Sequence, residues 1–188
     1  MKRLLGVIST LFIFACQEAQ QINTYSPPIE IGYFENAFLI NDKKDQVKKY
    51  IQNTNFSDLV FTKKYSSADK IILSLNPKNV SKFIDCGMMN DEVYVNYINR
   101  IFESDLKIKT TILLDSINMN LTKVEVTSEY QFTSIETGTR WNFQTNKPKL
   151  ILVGTPAYGA EPYRKCLAKN FIENRIIEEI KIKYGIDF

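Results

Sequence analysis

Histidine is absent from all 188 residues. That absence removes Ser-His-Asp and Cys-His catalysis and every histidine-based metal site. The chain also lacks a P-loop, a glycine-rich dinucleotide fingerprint and paired Cys-x-x-Cys motifs. No low-complexity tract occurs, and no repeat of about 20 to 50 residues. Neither sign of charge dominates: 24 Lys and Arg stand against 21 Asp and Glu, interspersed as on a solvated face. A nearly neutral chain offers no electrostatic footprint for nucleic acid.

What remains for chemistry is thin. Asp85, Asp91, Glu92 and Asp115 have no spacing that separates them from surface acids. Cys86, in Ile84-Asp85-Cys86-Gly87, is the one tempting nucleophile, but it has no histidine base. A structural thiol or a disulfide is the better reading. The sequence therefore implies no catalytic residue, no metal and no cofactor.

The stretch that is present and organised is the first sixteen residues. Lys2 and Arg3 form a basic start, Leu4 to Ala15 carries no charge, and Cys16 follows. The apolar run is shorter than the roughly 20 residues a membrane-spanning helix needs. It has the layout of a secretory signal. With Ile13-Phe14-Ala15-Cys16 as its box, it resembles a bacterial lipoprotein precursor. Ala15 and Cys16 fit the lipobox, Ile13 replaces the usual Leu, and Phe14 stands where a small residue is usual. The resemblance implies cleavage before Cys16 and acylation of it. Two or more acyl chains hold durably, at about 0.8 kcal/mol per buried methylene. Gln17 is not the Asp associated with inner-membrane retention, so the resemblance favours the outer membrane, facing the periplasm.

Three parts follow: a signal over residues 1–15, a polar tether over 16–30 ending in Pro27-Pro28, and one domain over 31–188. Cleavage leaves 173 residues with 22 bases against 21 acids. That length suits one domain with a real core. Once Cys16 is lipidated, Cys86 and Cys166 remain as an even pair, and an oxidising compartment favours a bridge between them.

Within the domain, Tyr33 to Ile40 reads as a strand. A helix follows, capped by Asn41 or Asp42, with Val47, Tyr50 and Ile51 on one face and an end near residues 53–55. Leu59 to Tyr65, Lys70 to Leu75 and Val80 to Cys86 read as strands, while Asn90 to Ser104 carries a helical stripe, read here as a helix, beside a strand-like alternation of Val93, Val95 and Tyr97. Leu106 to Leu114 alternates. So does Val124 to Phe132, where Val124, Val126, Ser128 and Tyr130 oppose Glu125, Thr127, Glu129 and Gln131. Thr139 to Thr145 returns, and Leu150 to Val153 pairs once more. Pro162 opens a long helix in which Tyr163, Leu167, Phe171, Ile177, Ile180 and Tyr184 are buried. Arg164, Lys165, Lys169, Glu173, Glu178 and Lys181 are wet, and Gly185 is the stop. Cys166 falls in its first turns, so a bridge would clamp that helix end to the Val80 strand.

The fold class expected is α+β: an antiparallel meander gripped by a long C-terminal helix, with a short N-terminal helix. The element order is like that of helix-grip modules in outer-membrane assembly lipoproteins. The expected role is a non-catalytic, membrane-anchored envelope lipoprotein that binds another envelope component, with Tyr158 and Tyr163 as candidate contact residues. The alternative is a carrier of a small ligand or lipid, with its pocket between sheet and helix.

Overall fold

A computed structural model describes residues 24–30, 32–93, 106–133, 140–147, 149–152 and 163–187. In chain order these form β1 (Tyr25–Ser26), β2 (Ala37–Ile40), α1 (Lys44–Asn53), β3 (Lys63–Ser66), β4 (Lys70–Leu75), β5 (Ile84–Asp85), β6 (Met88–Met89) and β7 (Glu92–Val93). Then come β8 (Lys107–Asn118), β9 (Leu121–Thr133), β10 (Arg140–Gln144), β11 (Lys149–Leu152), β12 (Tyr163–Ala168) and α2 (Phe171–Tyr184).

The two long alternating runs pair with each other as β8 and β9, and the main sheet is built on them. Its order is β10-β9-β8-β4-β3, all antiparallel, and β2 joins as a sixth strand on β9. Period-two patterning puts Ile108, Ile112, Leu114, Val124, Val126 and Tyr130 on one face, where they are buried. The opposite face carries Lys107, Lys109, Glu129 and Gln144, which are exposed. Both helices cover the apolar face: Val47 and Ile51 from α1, and Ile172, Ile176 and Ile180 from α2, are fully buried there. Each such side chain contributes about 1.5–3 kcal/mol, so this packing outweighs any single polar contact in the fold. Tyr50 meets Tyr184 edge-on at 5.8 Å and joins the two helices. This is the α+β architecture that the alternation and the two amphipathic segments imply.

Several local expectations are corrected. The C-terminal helix does not begin at Pro162, because Tyr163–Ala168 is strand β12 and α2 starts at Phe171. Asn170, at φ +54°, turns the chain between them. Tyr163, Leu167 and Phe171 have helical spacing, but the same stretch pairs with β11 and β5, and that pairing prevails. Glu173 is not wet: it is fully buried beside Ile172 and Ile176. Gly185, at φ +61°, does end the helix, with Ile186 N–H bonded back to the Lys181 carbonyl.

Val80–Lys82 is a 3-10 turn rather than strand, and only Ile84–Asp85 pairs. The helix expected from Asn90 starts instead as a hairpin: Asn90 and Asp91, at φ +50° and +64°, join β6 to β7 in a two-residue turn. Residues 94–104 lie outside the described residues. β11 pairs with β12, not with the main sheet, so the meander ends at β10. Neither Asn41 nor Asp42 caps α1. Its N-cap is Lys43, and the Asp42 carboxylate accepts the Lys43 N–H at 2.7 Å. The other end of α1 is closed by Lys64, whose ammonium reaches the carbonyls of Ile51 at 3.1 Å and of Gln52. Burial pulls that ammonium below its ordinary pKa.

Candidate functional site

Three places could carry function: the small sheet around the disulfide, a polar knot inside the core, and a cleft on the exposed sheet face.

Cys86 and Cys166 are joined by a disulfide across 80 residues. β5 pairs with β12 so that Asp85 faces Leu167, and the cysteines continue that register. The bridge therefore links two strands, not a strand and a helix end as the sequence implied. The bonded sulfur offers no thiolate, so Cys86 in this state is no nucleophile.

The segment expected to be tether lies across this bridge. Tyr25–Ser26 pairs with Met88–Met89, and Thr24 exchanges bonds with Asn90 at 3.0 and 2.9 Å. The Tyr25 hydroxyl donates to the Cys86 carbonyl at 2.9 Å and accepts the Lys165 N–H at 3.1 Å. One phenol thus ties the backbones of both bridged strands. The ammonium of Lys165 pairs with Glu30 farther along the same segment. Close approach depends on Gly87. It sits at φ +82°, and a Cβ there would meet the Ser26 carbonyl oxygen at 2.1 Å. Cys86 and Gly87 were visible in the sequence as a bridge candidate and a strand end. Their use as the seat of the N-terminal segment was not, because Tyr25 sits 61 residues away from its acceptor.

The polar knot is centred on Glu173. Its carboxylate accepts the Tyr130 hydroxyl at 3.1 Å to either oxygen, and the Thr145 hydroxyl at 2.5 Å. Thr145 in turn accepts the Ser128 N–H at 2.8 Å, and Ser128 meets Thr110 hydroxyl to hydroxyl at 2.8 Å. Burial pushes the Tyr130 phenol well above its ordinary pKa, and the Glu173 charge and the bond to it push the same way. Glu173 is inaccessible to solvent, so the knot can position α2 on β8, β9 and the end of β10 but cannot reach a substrate.

An open cleft of about 840 Å³ lies over the exposed sheet face. Ser74, Lys109, Glu129 and Gln144 form one row across four strands, with Lys107, Gln131 and Asn142 beside it. Glu129, the one carboxylate among the described lining residues, faces Lys109 at 3.6 Å. Among the described residues no second acid lines the cleft, and its amide-rich floor is suited to hydrogen bonding. Among the described residues, no group of three or more Cys, Asp or Glu side chains could hold a metal.

Of the other residues singled out in the sequence, Cys16 and Tyr158 lie outside the described residues. Tyr163 opens β12 opposite Leu152. In comparisons with known proteins, no family model, no curated protein and no solved structure matches this chain.

Proposed function

We propose that the chain is an envelope lipoprotein, held by acylated Cys16 in the outer membrane, that acts without catalysis by binding another envelope component. The carrying observation is the sequence Met1 to Cys16: a basic start, an uncharged apolar run and a cysteine directly after Ala15. The Cys86–Cys166 disulfide supports export, because such bridges persist in oxidising compartments. No described helix is long and apolar enough to cross a membrane, and an acyl anchor needs none.

A binding role is supported by the distribution of packing. The space between sheet and helices, where a carrier would keep its pocket, is filled by fully buried Ile40, Ile51, Ile112 and Ile176. That packing favours the binding reading over the carrier. The cleft lies on the other face, open to solvent, with Lys107, Lys109, Gln131, Asn142 and Gln144 among its lining side chains. A lining of lysine, amide and hydroxyl groups suits a polar surface or an extended chain better than a lipid.

The test is acylation and release. Acyl labelling should mark the wild-type product, and Cys16→Ser should move it from membranes to the soluble fraction. Retention of the unacylated variant in membranes overturns the anchor. Affinity capture from envelope membranes with and without Lys107→Glu and Lys109→Glu should then show a partner lost with the altered face. A partner retained by the doubly altered protein overturns the role of the cleft.

A further inference from the structure

Nothing in the composition says which end of the domain faces the lipid, but the docked N-terminal segment does. The chain is pinned from Thr24 onward by its bonds to Asn90 and by the β1–β6 pairing. Thr24 lies eight residues after Cys16. At no more than about 3.6 Å per residue, the leash reaches roughly 29 Å. Were the chain free as far as residue 30, it would reach roughly 50 Å. A compact domain of this size is roughly 40 Å across. The docked segment thus makes the leash shorter than the body it holds.

We propose that the β1–β6–β7 sheet is the membrane-proximal end of the domain and that its outer face rests on the lipid headgroup surface. This rests on the lipid-anchor reading above. The register supports the assignment. Ser26, Met88 and Val93 stand in one row across the three strands, so their side chains share a face. Tyr25, on the alternate face, packs towards the core. The shared face is outward and partly apolar: Met88 is 41% and Val93 39% exposed. Ile29, on the same segment just beyond the two prolines, is 87% exposed. Exposed apolar side chains beside a short leash suit an interface of headgroups and upper acyl carbons. The rival end is the β8–β9 turn, where Ile117 and Met119 are also exposed. β12 packs beside β10, which pairs with residues 129–133 of β9, whereas the Met119 turn is at the other end of that strand.

Of the three methionines after Cys16, namely Met88, Met89 and Met119, the assigned Met88 and Met119 signals mark the two candidate ends and make the test direct. The acylated protein is purified with methyl-labelled methionine. It is then placed in nanodiscs of phosphatidylethanolamine and phosphatidylglycerol carrying a trace of gadolinium-chelating headgroup. The Met88 methyl signal should be lost to paramagnetic broadening while the Met119 signal is retained. Loss at Met119 with Met88 retained, or an equal response of both, overturns the proposal and leaves the anchor standing. A purified product without acyl chains overturns the anchor and the proposal with it. Gly87→Ala, which displaces the docked segment and lengthens the leash, should shrink the difference between the two signals. An unchanged difference overturns the clasp as its cause.

Discussion

The Tyr130 hydroxyl stands 3.1 Å from each oxygen of the Glu173 carboxylate, and both side chains are buried in the core. Tyr130 also stacks on Phe143 at 5.1 Å, so its ring is held while its hydroxyl serves the acid. Tyr130→Phe keeps the ring and removes one of the two hydroxyl donors to a buried carboxylate. The expected loss is about 1–3 kcal/mol. Thermal unfolding should move down by roughly 2–4 °C per kcal/mol. A melting temperature equal to that of wild type would show that the bond contributes nothing net.

The same pair sets an alkaline limit. The folded-state pKa of Tyr130 is raised, first by burial and then by Glu173. An unfolded chain releases that proton near pH 10.0, the ordinary value, while the folded chain still holds it. Its contribution is therefore complete below pH about 10 and is lost as pH rises beyond it. Urea midpoints of wild type should fall more steeply between pH 9 and 11 than those of Tyr130→Phe. Parallel curves would remove Tyr130 from the account.

Glu173 also shows where sequence reasoning stops. The alternation from Val124 to Tyr130 was legible because a period of two puts every second side chain on the same face, whatever the rest of the chain does. Val47 and Ile51 were legible for the helical equivalent of that reason. A glutamate inside a helix carries no mark of whether Tyr130 and Thr145 wait opposite it. The charge suggested water, and two distant hydroxyls overruled it. Lys64 lies at the surface, as its charge suggests, yet no spacing in the sequence marks the contact by which its ammonium closes α1. Tyr163 to Ala168 misled for a different cause. Six residues fit either period, and the deciding partners, β11 and β5, come from remote parts of the chain. In the candidate site the same division holds. The pairing of Cys86 with Cys166 followed from counting cysteines, whereas Tyr25 as its backbone tie could not be counted from anything.

Reduction of the bridge tests how far that corner holds the rest. The disulfide closes a separation of 80 residues, worth about 4 kcal/mol in the chain-entropy model. β5 has only two paired residues, so little else fastens it to β12. Urea unfolding with reductant, or of Cys86→Ala/Cys166→Ala, should show a lower midpoint than the oxidised protein. An unchanged midpoint would mean the unfolded chain gains no freedom from the cut.

Gly87→Ala should act on one segment and spare the sheet. The added methyl group meets the Ser26 carbonyl at a separation no contact tolerates, and the positive φ adds strain of about 1–3 kcal/mol. The main sheet has no strand in common with β1–β6–β7. Amide exchange at Ser26 and Asn90 should therefore speed up, and proteolysis should open near residues 24–28. Amides of β8 and β9 should keep their protection. Equal loss of protection in both places would show that the N-terminal segment is part of the cooperative core.

Asn146 allows backbone and side-chain roles to be separated. β2 and β10 share one edge of β9, and Asn36 and Thr145 bond to Val126 and Ser128 in the gap between them. Asn146 closes that gap from outside: its amide accepts the Phe34 N–H at 2.9 Å and donates to the Phe34 carbonyl at 2.8 Å. It does so at φ +59°, a conformation asparagine and glycine tolerate and alanine resists. Asn146→Gly keeps the turn and removes both bonds. Asn146→Asp keeps the acceptor but sets a carboxylate against the Phe34 carbonyl. Asn146→Ala loses the bonds and adds backbone strain. Each lost bond is worth about 0.5–1.5 kcal/mol, so denaturation midpoints should fall below wild type for all three, with alanine lowest. If glycine matches wild type while alanine alone falls, the turn conformation matters and the bridge to Phe34 does not.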